Sequence, residues 1–178
     1  MVNHTTTNAK NIKVPHSNTE NSSSNYSMSS VCVIERNKIY NLPSKLYMQK
    51  SKTDFKVFHQ NIRGLVNKVD ELLLSLSNTN PQVLCISEHH LQSEQICLIN
   101  LEQYTLGTYY CRKHFKMGGV STFTLKNQYF EVVNLNNFCK EKDFEVCALK
   151  LLVNTTYLIV LCIYRSPTGD FSYFFVTS

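Results

Sequence analysis

The chain has 178 residues, of which 43% are apolar, and it carries a formal net charge of +5. This length suits one domain with a hydrophobic core, and no apolar stretch is long enough to cross a membrane. The seven cysteines are scattered and include no Cys-x-x-Cys pair. The sequence therefore predicts an intracellular protein with free thiols rather than a disulfide framework.

Residues 1–50 differ in composition from the remainder of the chain. Seventeen of the first thirty residues are Asn, Ser or Thr, and such a segment buries too little apolar area to offset its ordering entropy. We therefore expect a disordered or poorly ordered tail over residues 1–50 and one domain over residues 51–178. Within the tail, only the apolar run Val31–Ile34 favours local pairing. The tail has a net charge of +4, which suits either binding to a nucleic acid or simple solvation.

Residues 55–86 have the pattern of a strand, a helix and a second strand. The apolar run 55–58 predicts the first strand, and a stripe of apolar residues at helical spacing over 65–76 predicts the helix. The turn at 78–81 ends the helix before a proline. The continuous apolar run 83–86 then predicts a strand that is buried on both faces and parallel to the first.

The remaining sequence is richer in strand patterns. It predicts strands over residues 104–111, 120–125, 129–133, 144–153 and 157–164. The third of these is expected to pair with the second through a turn near Asn127, and the last two are expected to form a hairpin around Asn154. The expected fold class is α/β (α+β), with one sheet of about five to seven strands.

Three short segments place polar residues where apolar strands end, and they are Gln60–Leu65, Ile86–Leu91 and Ile163–Pro167. The carboxyl ends of the two parallel strands meet at one sheet edge, which is where α/β sheets bind ligands. The amide of Asn61 and the carboxylate of Glu88 are therefore expected side by side. Together with a phenol and a guanidinium group, they suit a hard metal ion and a phosphate.

The order and spacing of these segments resemble the endonuclease/exonuclease/phosphatase superfamily, and within it the apurinic-type endonuclease domain of non-LTR (LINE-type) retrotransposons. The resemblance covers residues 53–175 and rests on Gln-Asn-Ile-Arg-Gly-Leu, Ser-Glu-His-His-Leu, Gly-Gly-Val and Tyr-Arg-Ser-Pro. It implies the N-terminal half of a four-layer α/β/β/α sandwich. It also implies a parent activity of Mg²⁺- or Mn²⁺-dependent phosphodiester hydrolysis in DNA, a reverse transcriptase domain in the parent polyprotein, and a nuclear location.

The resemblance implies roles for four residues of this chain. Asn61 matches the asparagine near the phosphate and metal ion, and Glu88 matches the glutamate that holds the divalent cation. Tyr164 matches the tyrosine that contacts the scissile phosphate, and Arg165 follows it in the retrotransposon branch. Simpler roles stay open: Glu88 as a surface carboxylate, Asn61 as a helix cap, Tyr164 as an interior residue and Arg165 as a surface ion-pair partner.

The histidines that follow Glu88 invite a different metal site. A zinc site can be sketched from His89, His90, His114, Cys97 and Cys111. Their spacing fits no zinc pattern, so we expect His89 and His90 to be loop residues beside the site. Gly118–Gly119 lacks the spacing of a phosphate-binding loop and predicts a turn.

The family's remaining catalytic groups lie beyond the Tyr-Arg strand in the resemblance. They are a Gly-Asp-Phe-Asn segment with the water-activating aspartate and a Ser-Asp-His-type segment with a phosphate-binding histidine. Gly169–Ser172 looks like the first, but it follows Arg165 too closely and ends in serine. We therefore expect a truncated fragment that is inactive or nearly so. Because the superfamily itself consists of enzymes, whether this chain is an enzyme stays open. The alternatives are a non-enzymatic nucleic-acid- or protein-binding remnant of a transposon and a superfamily relative that acts on lipid phosphates.

Overall fold

The computed structural model describes residues 28–35, 38–42 and 55–170, which form a mixed α+β fold. The strands of this part of the chain are β1 Met28–Glu35, β2 Lys38–Leu42, β3 Val57–Asn61, β4 Val83–Ser87, β5 Tyr104–Tyr110, β6 Val120–Leu125, β7 Phe130–Val133, β8 Glu145–Val153 and β9 Thr156–Arg165. Its helices are α1 Val69–Leu76 and α2 Ser93–Ile96, with 3-10 turns at Val66–Lys68 and Asn136–Phe138. Neither of these helices has the length and apolar character needed to span a membrane.

The strands form two sheets, whereas the strand patterns alone predict one sheet and the resemblance implies two. One sheet has the order β3-β4-β6-β5, in which β3 and β4 are parallel and the other neighbours are antiparallel. The second sheet has the order β2-β1-β9-β8-β7 and is antiparallel throughout. The predicted strand–helix–strand unit and the predicted β8–β9 hairpin are both present.

The partner of β7 differs from the prediction. The sequence predicts that residues 129–133 pair with residues 120–125, but β7 pairs with β8 in the other sheet. In this register Phe130 lies opposite Leu151 and packs against the core between the sheets. The exposed pair of Lys150 and Glu131 also fits this register, with 3.0 Å between the ammonium nitrogen and a carboxylate oxygen. Packing of Phe130 against the core between the sheets therefore favours pairing with β8, although β6 is closer to β7 in sequence.

The two sheets pack face to face through alternate residues of their strands. In β9, Leu158, Val160, Cys162 and Tyr164 are buried, while the residues between them are only partly covered. This alternation is expected because successive side chains of a strand point to opposite faces. The core between the sheets also takes residues from β1, β3, β4, β6 and β8. Each fully buried aliphatic side chain contributes about 1.5–3 kcal/mol to folding.

A second core lies on the other face of the four-stranded sheet. The helical stripe predicted from the sequence supplies Leu65, Leu72 and Leu76, all at most 4% exposed. These residues pack on Leu84 and Ile86 of β4. Because β4 carries apolar side chains on both faces, it is the buried central strand that its continuous apolar run predicts.

The N-terminal boundary of the packed structure also differs from the prediction. The expected tail includes residues 28–35 and 38–42, but β1 lies between β2 and β9 inside the five-stranded sheet. Val31 and Val33 are fully buried, which explains why this short apolar run pairs with a distant strand. The tail expected for residues 1–27 and 43–50 lies outside the described residues.

Candidate active site

The parallel pairing of β3 and β4 brings the predicted polar residues to one sheet edge. Asn61 lies opposite Ser87 in the register, so the chain after each strand leaves the sheet at the same level. The two exits are joined by backbone hydrogen bonds, from Ile62 N–H to Ser87 O at 3.0 Å and from Gly64 N–H to Glu88 O at 2.8 Å. The loops that carry the polar side chains are therefore held together by the backbone itself.

Asn61 and Glu88 are in direct contact at this edge. The Asn61 Nδ2 donates a hydrogen bond to Glu88 Oε1 at 2.8 Å. The remaining oxygen of the amide, Asn61 Oδ1, is buried and accepts no hydrogen bond among the described residues. The other oxygen of the carboxylate, Glu88 Oε2, lies 3.7 Å from His90 Nε2. The Asn61 amide and the Glu88 carboxylate are thus held side by side, with the NH₂ group of the amide toward the carboxylate.

The backbone around these side chains adopts conformations that are unusual for residues other than glycine. Glu88 has φ +54°, His90 has φ +61° and Arg63 has φ +48°. Such left-handed conformations cost about 1 kcal/mol or more each and persist only where the surrounding structure enforces them. They concentrate at functional sites, and here they turn the Glu88 side chain toward Asn61.

Tyr164 reaches the same place from the other sheet. It is 4% exposed, and its phenol is close enough to the Glu88 carboxylate for that charge to act on it. Burial, followed by the nearby negative charge of Glu88, raises the pKa of the Tyr164 phenol well above its usual value. The hydroxyl therefore keeps its proton at neutral pH and acts as a hydrogen-bond donor. Asn61, Glu88 and Tyr164 converge as the sequence predicts, and their roles stay predictions.

Arg165 does not join this group. It follows Tyr164 in β9, so its side chain lies on the opposite face of the sheet. There its Nη1 donates a hydrogen bond to Gly169 O at 3.1 Å, within the turn that follows the strand. A guanidinium group on the outer face does not face the Glu88 carboxylate, so the structure places Arg165 outside the candidate site.

Arg112 supplies a guanidinium group that the sequence reasoning missed. Its Nε donates a hydrogen bond to Glu145 Oε1 at 2.5 Å, and both side chains are almost fully buried. The guanidinium carbon of Arg112 also lies 5.7 Å from the centre of the Tyr164 ring, within the range of a cation–π contact. A cation therefore does lie beside the phenol, but it comes from the loop after β5.

Glu145 is the second residue that the sequence reasoning missed. Its side chain is 0% exposed, and it accepts backbone hydrogen bonds from Gly119 at 2.7 Å and Lys142 at 3.0 Å. Burial raises the pKa of Glu145, while Arg112 and these N–H groups favour its charged form. Glu145 lies opposite Tyr164 in the β8–β9 register, so an acidic residue at the start of an apolar strand was the available signal.

The Gly118–Gly119 turn allows two buried side chains to approach the backbone. A Cβ atom on Gly119, whose φ is +85°, would overlap with the His89 ring. A Cβ atom on Gly118 would overlap with the Arg112 guanidinium group. The predicted turn is present, and it also makes room for His89 and Arg112.

His89 has a structural role in this arrangement. Its ring is 0% exposed; Nδ1 accepts a hydrogen bond from Leu91 N–H at 3.0 Å, and Nε2 donates one to Tyr110 O at 3.1 Å. Burial lowers the pKa of His89 to about 4, so the ring is neutral at pH 7. His90, in contrast, is partly exposed and faces Glu88. Burial also lowers the pKa of His90, although the Glu88 charge opposes this effect.

The two metal sites suggested by the sequence differ in the ligands that they need. Within the described ranges, no group of three or more His, Cys, Asp or Glu side chains is placed to hold a metal ion. A structural zinc site needs four such ligands. Mg²⁺ binds with one or two protein carboxylates and takes its other ligands from water and phosphate. Glu88 supplies one such carboxylate, and Mg²⁺ binding at this edge stays a prediction.

Comparison with known proteins gives no family for the chain: no family model, curated protein or solved structure matches it.

Proposed function

We propose that this chain carries the metal- and phosphate-binding part of a phosphodiesterase of the endonuclease/exonuclease/phosphatase type, with a nucleic acid as substrate. The observation that carries the proposal is the 2.8 Å hydrogen bond from Asn61 to Glu88, with the Tyr164 phenol near enough for the Glu88 charge to raise its pKa. These groups come from different sheets, and the buried amide oxygen of Asn61 accepts no hydrogen bond from the described residues. The motif order found in the sequence adds support to this geometry.

Each group has a definite chemical task in this proposal. Glu88 and Asn61 would hold Mg²⁺, which when bound polarises a phosphoryl oxygen and offsets the charge of the leaving oxygen. Tyr164 stays protonated and can donate a hydrogen bond to a phosphate oxygen. Arg112, whose charge is paired with Glu145, lies against the Tyr164 ring and helps to fix its position. Glu145 holds Arg112 in place.

The proposal includes the finer fold implied by the resemblance. The described residues supply a helical layer and two packed sheets, which agree with three layers of an α/β/β/α sandwich. The outer face of the five-stranded sheet carries apolar residues that are only partly covered, including Ile159, Leu161 and Ile163 of β9. A second helical layer over this face would complete the sandwich.

A second candidate function is nucleic-acid binding without cleavage. The observation that favours it is a cavity beside the site that lies next to a basic loop and has no acidic residue in its lining. In the resemblance, water activation belongs to groups other than Asn61, Glu88 and Tyr164, so binding and cleavage are separable. The two candidates differ only in whether a bound strand is cut.

The metal site is tested by binding of Mn²⁺, followed by electron paramagnetic resonance, in the full chain and in Glu88→Gln. The substitution removes the charged ligand, so we expect Mn²⁺ affinity to fall by at least about tenfold. The control is Glu71→Gln, which alters an exposed carboxylate on α1 and should leave affinity unchanged. Equal affinity in the wild type and Glu88→Gln would remove the proposed metal site.

Cleavage is tested separately by nicking of supercoiled plasmid in the presence of Mg²⁺. Nicking that disappears in Glu88→Gln and persists in Glu71→Gln would show that the chain is an active endonuclease. Mn²⁺ binding without nicking would support the second candidate. Hydrolysis of a phospholipid headgroup but not of DNA would show that the substrate is a lipid phosphate and not a nucleic acid.

A further inference from the structure

A cavity of about 500 Å³ lies beside the candidate site, against the loop that joins β5 and β6. One wall is formed by Lys113, His114, Phe115 and Lys116 of this loop, and the opposite wall includes His90 and Gln95. We call this cavity the basic groove. It is open to solvent, since the four loop residues are exposed.

The charge of the basic groove is positive. Its lining residues include no aspartate or glutamate. The guanidinium group of Arg112, which also lines the groove, is neutralised by Glu145. The ammonium groups of Lys113 and Lys116 have no such partner of opposite charge in the lining. The groove therefore attracts anions, and imidazole and amide groups can add hydrogen bonds to them.

The loop that carries these lysines is anchored by its backbone. The carboxylate of Glu141 accepts N–H hydrogen bonds from Lys113 at 2.7 Å, His114 at 3.2 Å and Phe115 at 3.0 Å. The ammonium nitrogen of Lys142 lies 3.6 Å from the centre of the Phe115 ring. Glu141 therefore holds the backbone of the loop in place, and one of its oxygens also lies 3.7 Å from His114 Nδ1, while Lys113 and Lys116 are exposed.

The basic groove adjoins the candidate active site at His90. This residue lines the groove, and its Nε2 lies 3.7 Å from Glu88 Oε2. The loop and the site are also joined by the hydrogen bond from His90 N–H to Gly118 O at 2.9 Å. An extended polyanion in the groove would thus run past Glu88.

We propose that the basic groove binds the phosphodiester backbone of a nucleic-acid strand and leads that strand to Glu88. The direction of the strand rests on the proposed function, whereas binding in the groove rests on the cavity and its charges alone. Lys113 and Lys116 bind successive phosphates, and this contact is independent of sequence. Phe115 and Met117 are exposed apolar side chains on the same loop, which suit contact with bases or sugars.

The test is binding of a fluorescein-labelled 12-nucleotide single strand to the full chain, measured by fluorescence anisotropy in EDTA. The chelator removes divalent cations, so the result does not depend on the metal site. Reversing two charges with Lys113→Glu plus Lys116→Glu should weaken binding by about tenfold or more at low salt. It should also reduce the slope of log affinity against log salt concentration by about two, because two phosphates are no longer neutralised.

A matched control is Lys126→Glu, compared with the single variant Lys116→Glu. Lys126 is also exposed, but it lies at the other end of β6, away from the groove. Both single variants change the net charge by the same amount, so a difference between them reports position. Only Lys116→Glu, which alters the groove, should lose more than about twofold in affinity for the strand. The milder pair Lys113→Ser plus Lys116→Ser, checked by circular dichroism, separates a binding defect from a folding defect.

The outcomes distinguish this inference from the proposed function. Equal losses of strand affinity in Lys116→Glu and Lys126→Glu would show that binding follows total charge. No loss of affinity in the double variant would show that another segment binds the strand. Either result would contradict binding in the basic groove. Loss of strand binding in the groove variants, together with unchanged Mn²⁺ affinity in Glu88→Gln, would support strand binding in the groove and contradict the proposed metal site. A duplex of the same length, run in parallel, shows which form of nucleic acid the groove accepts.

Discussion

The two ends of the sheets are built very differently. At the β8–β9 hairpin, a short exposed turn reverses the chain, and Asn154, with φ +55°, is its left-handed residue. At the carboxyl edge of β3 and β4, three loops meet, and seven of the ten positive-φ residues in the described ranges lie there. The hairpin turn needs only local geometry, whereas the loops at the edge are held by buried polar contacts. Backbone strain thus collects where the candidate site is.

The largest expected effect at the edge is the loss of the Glu145 charge. In Glu145→Gln, Arg112 is left buried without a counter-ion, and breaking a buried pair in this way costs about 3–5 kcal/mol. Urea unfolding of the variant and the wild type measures the difference. The exposed pair of Glu131 and Lys150 in the other sheet is the control, and Glu131→Gln should change stability very little. Similar losses in the free energy of unfolding in both variants would contradict the proposed difference between the two regions.

The glycine turn gives a smaller expected effect with a matched control. In Gly119→Ala the added Cβ would overlap with the His89 ring, so strain and overpacking together should cost about 2–3 kcal/mol in the free energy of unfolding. Gly64 has a similar φ of +99°, but the nearest atom to its added Cβ is 3.5 Å away. Gly64→Ala should therefore lose only about 1 kcal/mol from backbone strain. Equal unfolding free energies would show that His89 moves aside readily.

The smallest expected effect is a pH dependence that comes from His89. The folded pKa is about 4 and the ordinary value is 6.5, so the unfolded chain binds more protons between these limits. Stability should therefore fall as the pH drops from 6.5 toward 4, by about 2 kcal/mol at pH 5. His89→Asn retains an acceptor for Leu91 N–H but has no imidazole to protonate. Its unfolding free energy should depend less on pH, and an unchanged slope would assign the effect to other groups.

Local patterns predicted local structure well. The strand–helix–strand unit and the β8–β9 hairpin are each encoded within about 30 residues by apolar periodicity and turn residues. Two pairings that join distant segments were missed, β1 with β9 and β7 with β8, and two sheets were expected only from the resemblance. A strand's own pattern shows which of its residues are buried, but not which strand lies beside it.

The same limit applies to the candidate site. The rule that parallel strands end at one edge was enough to bring Asn61 and Glu88 together. Tyr164 was identified by its place in the motif order, and strand alternation then separates it from Arg165. Arg112 and Glu145 are 33 residues apart, and neither belongs to a recognised motif. Their pairing depends on how the two sheets pack, which single-sequence reasoning did not provide.

The position of β1 determines which fragments of this chain can be studied. Its eight residues pair with one edge of β9, from Met28 opposite Arg165 to Glu35 opposite Leu158. A recombinant fragment that starts at residue 51 would leave this edge of β9 open, and an open apolar edge is a template for intermolecular strand addition. Such a fragment should precipitate or self-associate, and any loss of activity in it would be uninformative. Expression should begin before Met28, the first residue of β1.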